Sequence, residues 1–173
     1  MKMDRLFGEE WPRIEGDGLT LRKLELSDAS ALLEMLSDEE LYRFKPGEPH
    51  KNMTYAEHMV GWLERDYRKK KMMVLAIRDD QREGRLVGTL EVFDADEKVG
   101  MVTFGYTLTH CEWGKGYATW ASLLLLGHLF DTCECNRVQA FVMPQNMRSA
   151  AVLGRCGFTQ EGLIRQGAFW RGR

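Results

Sequence analysis

Eight residues, Glu112-Trp113-Gly114-Lys115-Gly116-Tyr117-Ala118-Thr119, combine the types that an anion-binding turn needs. Glycine lets the main chain approach a ligand closely and adopt positive φ, and a helix starting just after it offers unpaired N–H groups and the positive end of its dipole. A pyrophosphate suits such a cradle. The spacing sets it apart from two other glycine-rich loops. A dinucleotide fingerprint needs glycine three residues after Gly116, where Thr119 stands; a P-loop needs Lys and then Ser or Thr after its last glycine, yet Lys115 lies between the glycines and Tyr117 follows. What remains is Gly-x-Gly-x-Ala, which taken alone also suits a tight strand-to-helix turn with no ligand.

A cradle of this kind needs a strand before it and a helix after it, and the flanking sequence supplies both. Met72 to Ile77, Leu86 to Phe93 and Val99 to Leu108 read as three strands of an antiparallel meander, with turns around Asp79-Asp80 and Asp94 to Asp96. Tyr117 to Phe130 reads as an apolar helix. Downstream, Val138 to Met143 is expected to be a strand, Arg148 to Arg155 a helix stopped by a left-handed Gly157, and Phe158 to Ile164 another strand.

Upstream, Trp11-Pro12 and Gly16-Asp17 suggest an irregular arm over residues 1 to 17, before a first strand from Leu19 to Leu24. Ser27-Asp28 begins a helical stretch to Leu36, Ser37 to Glu40 forms a capping-box pattern for a second helix ended by Lys45-Pro46-Gly47, and Thr54 to Glu57 forms another for a third helix running toward Lys69. The stripe of Met59, Trp62, Leu63 and Tyr67 on that helix is expected in the core, with Trp62 and Phe44 as alternative substrate contacts.

Composition narrows the function. The 173 residues are 44% apolar with no break in composition, so a single domain is expected over residues 1 to 173. With 24 basic against 26 acidic residues the net charge is −2, which supplies no broad field for direct nucleic-acid binding. The apolar run Ala121 to Leu126 is too short to span a membrane. Cys111, Cys133, Cys135 and Cys156, read without a leader, fit reduced thiols in a cytoplasmic protein, and their spacing with His128 is not a zinc set. No metal is expected.

Three ordered blocks resemble the GNAT superfamily of acyl-CoA-dependent N-acetyltransferases, and in particular its ribosomal-protein N-terminal acetyltransferase (RimJ/RimL-like) branch. Phe104-Gly105-Tyr106-Thr107-Leu108 is similar to the family's fourth strand, Trp113 to Thr119 to its pyrophosphate loop, and Asn146-Met147-Arg148-Ser149-Ala150 through Gly157-Phe158 to its next strand-to-helix segment. Leu19-Thr20-Leu21-Arg22 and Ser27-Asp28-Ala29 extend the likeness over roughly residues 18 to 165. The resemblance implies an α/β (α+β) fold: a mixed, mostly antiparallel sheet flanked by helices, whose fourth and fifth strands splay apart around the pantetheine arm of acetyl-CoA.

The same resemblance implies site residues. Main-chain N–H groups near Tyr106, Thr107 and Leu108 would polarise the thioester carbonyl. Trp113, Gly114, Lys115, Gly116, Tyr117, Ala118 and Thr119 would hold the coenzyme, with Arg148, and Arg155 farther along, adding charge near its phosphates. Asn146 would orient the pantetheine or its turn, and the Ser149 hydroxyl would donate to the departing sulfur; each also suits a helix N-terminus. The general base is the open position. Relatives place carboxylates where this chain has Thr103 and Trp120, which leaves Glu91, His110, a water relay or capture of an amine that is already neutral. Glu112 would repel an anion unless it points away, and Cys111 reads as a passive thiol.

The function expected is transfer of acetyl from acetyl-CoA to a primary amine, either a protein N-terminal α-amine or a small amine. The alternative is a catalytically impaired acyl-CoA-binding or sensing module. The resemblance implies one more strand, yet only Arg165 to Arg173 follows Ile164, ending in Phe169-Trp170-Arg171-Gly172-Arg173. Truncation, or completion of the sheet by another copy in a homodimer, is the expectation there.

Overall fold

The structure, a computed structural model, describes residues 1–167. Six strands form one sheet in the order β1-β2-β3-β4-β5-β6: β1 (Ile14–Gly16), β2 (Leu19–Lys23), β3 (Met72–Asp79), β4 (Arg85–Asp96), β5 (Met101–Leu108) and β6 (Arg137–Gln139). Neighbours pair antiparallel except β5 and β6, which run parallel. The helices are α1 (Met3–Leu6), α2 (Ala29–Leu36), α3 (Met53–Arg68), α4 (Tyr117–Gly127) and α5 (Met147–Arg155). The family's fourth and fifth strands are therefore β5 and β6 here.

Strand alternation divides the sheet into two faces. Met73, Leu75, Ile77, Leu90, Val92 and Phe104 point into a core closed by Ala118, Ala121 and Leu125 of α4. Val74 and Ala76 point the other way, into a second core with Leu32 and Met35 of α2 and Ala56 and Leu63 of α3. Glu91 is aligned with both Val74 and Gly105, so this second face also carries Glu91 and the odd-numbered residues of β5.

Several expectations need correction. Residues 1 to 17 are not an irregular arm: they hold α1 and β1, and Leu6 and Phe7 are buried in the first core. The segment after Ser37 makes only a tight 3₁₀ turn, Glu39–Arg43, because Asp38 rather than Ser37 caps it by accepting from the Glu40 N–H. Helix α3 starts at Met53 with Asn52 as its cap, one turn position ahead of the Thr54 pattern. Trp62 is about half exposed and lies edge-on to Tyr55, so only Leu63 and Tyr67 of the expected stripe are buried.

The largest differences lie after α4, which passes into a π-helical turn over His128–Thr132. β6 is three residues long rather than six, and Phe158 to Ile164 forms no strand. A strand persists only where a partner takes its hydrogen bonds, and β5 offers one only at Met101–Thr103. Phe141, Leu163 and Ile164 are accordingly exposed. Phe169 and Trp170 lie outside the described residues.

A buried ion-pair cluster ties the opening of the fold together. Asp28, 3% exposed, receives Nη1 of Arg22 at 2.8 Å, Nη2 of the same residue at 3.0 Å, Nη1 of Arg78 at 2.8 Å and the Glu25 N–H at 2.9 Å. Burial would raise its carboxyl, but these donors and both positive charges outweigh that and hold it below the ordinary aspartate range. Because the folded-state value is depressed, the stabilisation is present above the unfolded value and is lost as pH falls through the folded one. We expect Asp28→Ala to cost about 3–5 kcal/mol by leaving two guanidinium groups without their acceptor. Urea unfolding of wild type and variant at pH 7 and pH 3 checks this: the gap should shrink at the lower pH, and an equal gap at both would contradict it.

Candidate active site

β5 and β6 pair over three residues and then part. Beyond Thr103, the strand Phe104 to Leu108 continues with β4 on one side and no strand on the other among the described residues. That leaves alternate main-chain groups of Phe104 to Leu108 facing an opening instead of a ladder. Tyr106 and Thr107 sit on its wall with side chains on opposite faces.

On the α4 face, the Tyr106 hydroxyl donates to Ser149 Oγ at 3.0 Å, bridging β5 to the start of α5. Asn146 caps that helix, its Oδ1 accepting from the Ser149 N–H at 3.2 Å. The two hydroxyls are thus in hydrogen-bond contact across the start of α5. Burial raises the Tyr106 phenol despite this bond, so it stays protonated through the neutral range.

The opposite face holds Glu91, whose Oε2 is 3.7 Å from where a Cβ on Gly105 would sit, an ordinary van der Waals distance. Lys45 reaches in from the segment after the 3₁₀ turn. Its Nζ lies 3.3 Å from Glu91 Oε1 and 3.3 Å from Thr107 Oγ1.

At the end of β5 the chain turns through a 3₁₀ segment, His110–Glu112, and reaches α4 by way of Gly114 (φ +76°) and Gly116 (φ +93°). Gly116 is the N-cap residue and brings no side chain to the first N–H groups of α4, which therefore stay free. A Cβ at Gly114 would meet nothing within 4 Å, whereas one at Gly116 would sit 2.9 Å from the Trp120 indole. Trp113 is pinned by its Nε1 donating to the Leu108 carbonyl at 3.0 Å, and the Arg148 guanidinium lies over its ring at 6.0 Å. Ala118 is buried in the core and Thr119 half-buried behind the turn.

Glu112 does not face the turn's ligand side. Only 1% exposed, it accepts from Arg82 Nη1 at 2.9 Å and Lys115 Nζ at 3.0 Å, with Arg85 Nε at 3.8 Å. Burial pushes its carboxyl up, and the two hydrogen bonds and neighbouring charges more than reverse that. The Tyr117 hydroxyl donates to Asp79, at the end of β3, and that bond raises the phenol's pKa. A short web therefore ties the glycine turn to the β3–β4 connection.

His110 is drawn elsewhere: its Nδ1 is 3.3 Å from Asp38 Oδ2 and its ring packs on Trp113. Arg155, at the far end of α5, is exposed and joins none of these contacts. Cys111 is exposed, and Cys133 and Cys135 are buried beneath the N-terminal segment, with burial pushing the Cys133 thiol up to about 11. Among the described residues no three His, Cys, Asp or Glu side chains group as a metal site would, and no helix is long and apolar enough to cross a membrane. Sequence reasoning missed Lys45, Arg82, Arg85 and Asp79. Arg82 and Arg85 flank a visible turn, while Lys45 meets Glu91 across 46 positions with no local signal.

A family model described as an acetyltransferase (GNAT) domain matches residues 18–159. The chain belongs to the GNAT acetyltransferase family. It is 30% identical over 158 residues to the N-acetyltransferase p20 of Bacillus licheniformis, itself uncharacterised, covering 90% of this chain and 86% of that protein. The [ribosomal protein uS5]-alanine N-acetyltransferase of Escherichia coli is 26% identical over 165 residues, covering 87% and 79%. Among solved structures, Mycobacterium smegmatis RimJ in complex with CoA-disulfide superposes with a TM-score of 0.82 at 25% identity, over 94% of this chain and 81% of that one. This GNAT protein is thus an N-acetyltransferase whose mixed sheet flanked by helices is the family's fold.

The web around Glu112 yields a direct test. We expect Glu112→Gln to cost about 1–3 kcal/mol, since it weakens charge-assisted hydrogen bonds but leaves Arg82 and Lys115 partly exposed and able to hydrate. Hydrogen exchange at Trp113 to Tyr117 should accelerate with it. Unchanged denaturation midpoint and unchanged exchange would show that the carboxylate does not hold the turn.

Proposed function

We propose that the protein transfers acetyl from acetyl-CoA directly to a primary amine, in the opening beside Tyr106 to Leu108, and that the acceptor is the α-amine of a protein N-terminus. The observation that carries this is the parting of β5 and β6 between two different kinds of group. A serine hydroxyl stands on one face of β5 and a carboxylate on the other. Acetyl transfer needs a proton acceptor for the amine and a proton donor for the thiolate, with the carbonyl held between them.

In this reading the free N–H groups at Gly114 to Ala118 hold the coenzyme pyrophosphate, with Lys115, Arg148 and the helix dipole adding positive potential. Main-chain N–H groups of Tyr106 to Leu108 polarise the thioester carbonyl. Glu91 takes the ammonium proton, directly or through water, and the neutral amine attacks. As the C–S bond breaks, Ser149 gives its proton to sulfur and regains one from the attacking nitrogen through water, with the Tyr106 hydroxyl in contact with Ser149 Oγ. Glu91 is favoured over His110 as base because it lies beside Gly105 and Thr107, whereas His110 is turned toward Asp38. The choice of a protein α-amine is supported by the RimJ/RimL-like motif blocks and by the E. coli relative, whose name gives an alanine of ribosomal protein uS5 as its acceptor.

A second reading, an acyl-CoA-binding or sensing module, draws on the Lys45–Glu91 ion pair, which occupies the carboxylate, and on Thr103, which is buried and accepts a hydrogen bond from Gln139. Thiol release separates the two. With acetyl-CoA and a panel of peptides, polyamines and small amines, we expect release stimulated by peptide α-amines above the rest. Coenzyme binding with no stimulated release by any amine would favour the sensing module. Two variants sharpen the assignment. Gly116→Glu, which adds bulk and negative charge against the pyrophosphate, should weaken coenzyme binding about tenfold or more. Ser149→Ala should lower kcat by about a hundredfold with little change in coenzyme affinity, since its bond strengthens only in the transition state; an unchanged kcat with chemistry rate-limiting would remove Ser149 from the mechanism.

A further inference from the structure

Among the described residues, Lys45 is the primary amine that the fold brings to Glu91 and Thr107. Its Nζ is held by two contacts of 3.3 Å, to Glu91 Oε1 and to Thr107 Oγ1, and Thr107 lies between Tyr106 and Leu108 in the part of β5 beyond its last residue paired with β6. The ammonium therefore occupies the position at the carboxylate that an acceptor amine would need. It arrives on the α2–α3 face of β5, opposite the Tyr106–Ser149 pair, so the nucleophile and the proton donor for the leaving group flank the same stretch of strand. An internal amine fixed in this way reacts as part of the molecule rather than by collision, which raises its effective concentration by many orders of magnitude.

We propose that Lys45 is a self-acetylation site: in the absence of an acceptor, its ε-amine takes the acetyl group from acetyl-CoA bound in the protein's own opening. The inference rests on the acetyl-CoA-dependent reading above. The Lys45 ammonium gives a proton to Glu91, the Nζ lone pair forms a bond to the thioester carbonyl carbon, and the carbon–sulfur bond breaks. As the amide forms, the nitrogen gives up its second proton; the thiolate takes a proton from Ser149, which the nitrogen's proton replaces by way of water, and the proton on Glu91 passes to solvent. The products are N-acetyl-lysine and coenzyme A thiol. Once acetylated, Lys45 carries no charge and can no longer pair with Glu91. The carboxylate is then free for an incoming ammonium, so the modification converts an occupied site into an open one.

The test uses the full chain with acetyl-CoA and no added amine, followed by intact mass and peptide mapping. One acetyl group should appear on the peptide containing Lys45, about tenfold or more faster than on exposed lysines such as Lys71. The rate should be independent of protein dilution and suppressed by excess coenzyme A. Lys45→Arg keeps a cation for Glu91 but presents no acylable amine, and should lose the label altogether. A preparation that releases thiol with any amine of the panel but leaves Lys45 unlabelled overturns the self-acetylation while leaving the acetyltransferase reading intact. Labelling of Lys45 at the rate of Lys71, or unaffected by coenzyme A, overturns it as well, because that is solution acylation. A preparation that binds acetyl-CoA but labels neither Lys45 nor any amine overturns both.

Discussion

Backbone hydrogen bonding sets the terms for the whole site. A parallel strand pair that runs for three residues and then stops leaves the rest of β5 with its donors and acceptors on one side unclaimed. Several candidate residues are arranged around that vacated edge: Tyr106 and Thr107 on the strand, Ser149 and Asn146 at the start of the helix that follows β6, and the glycine turn where β5 ends. A fully zipped sheet would offer no place for an extended ligand between these elements. The parting is affordable because the other side of β5 is bound to β4 along nearly its whole length.

The second requirement is that the turn beyond β5 keep its shape with two residues at positive φ and no capping side chain. The protein meets it with charge rather than with packing. Glu112 is buried among three basic side chains, and Tyr117 reaches Asp79, so the connection between β3 and β4 braces the start of α4. The Glu112 charge is thereby consumed internally, and the cations that neutralise it remain partly exposed.

Much of this was legible in the sequence because it depends on local chemistry. The glycines, the helix start at Tyr117, the meander of β3 to β5 and the Asn146 cap each follow from residue types at fixed short spacing. What failed depended on partners far away in the chain. Phe158 to Ile164 has the composition of a strand yet forms none, since a strand needs a neighbour as well as a pattern. The first seventeen residues look like a loop, but Leu6 and Phe7 are core residues, a fact fixed by what covers them. Lys45 reads as a helix stop beside Pro46 and becomes part of the site only through the approach of β4 and β5.

That N-terminal segment has a consequence for how the chain comes to be folded during its own synthesis. Arg5 pairs with Glu134, and its carbonyl accepts from the Cys133 thiol across 128 positions, so the segment holding Leu6 and Phe7 completes its contacts only after the residues around Cys133 have been made. Until then Leu6 and Phe7 have no native cover from the far end of α4 and its π-helical turn. The order of synthesis and the order of assembly therefore differ here: the segment holding Leu6 and Phe7 is made before α4 yet settles only with the far end of it. Such long-range closure slows folding and lengthens the time that apolar surface is open to other chains or to chaperones.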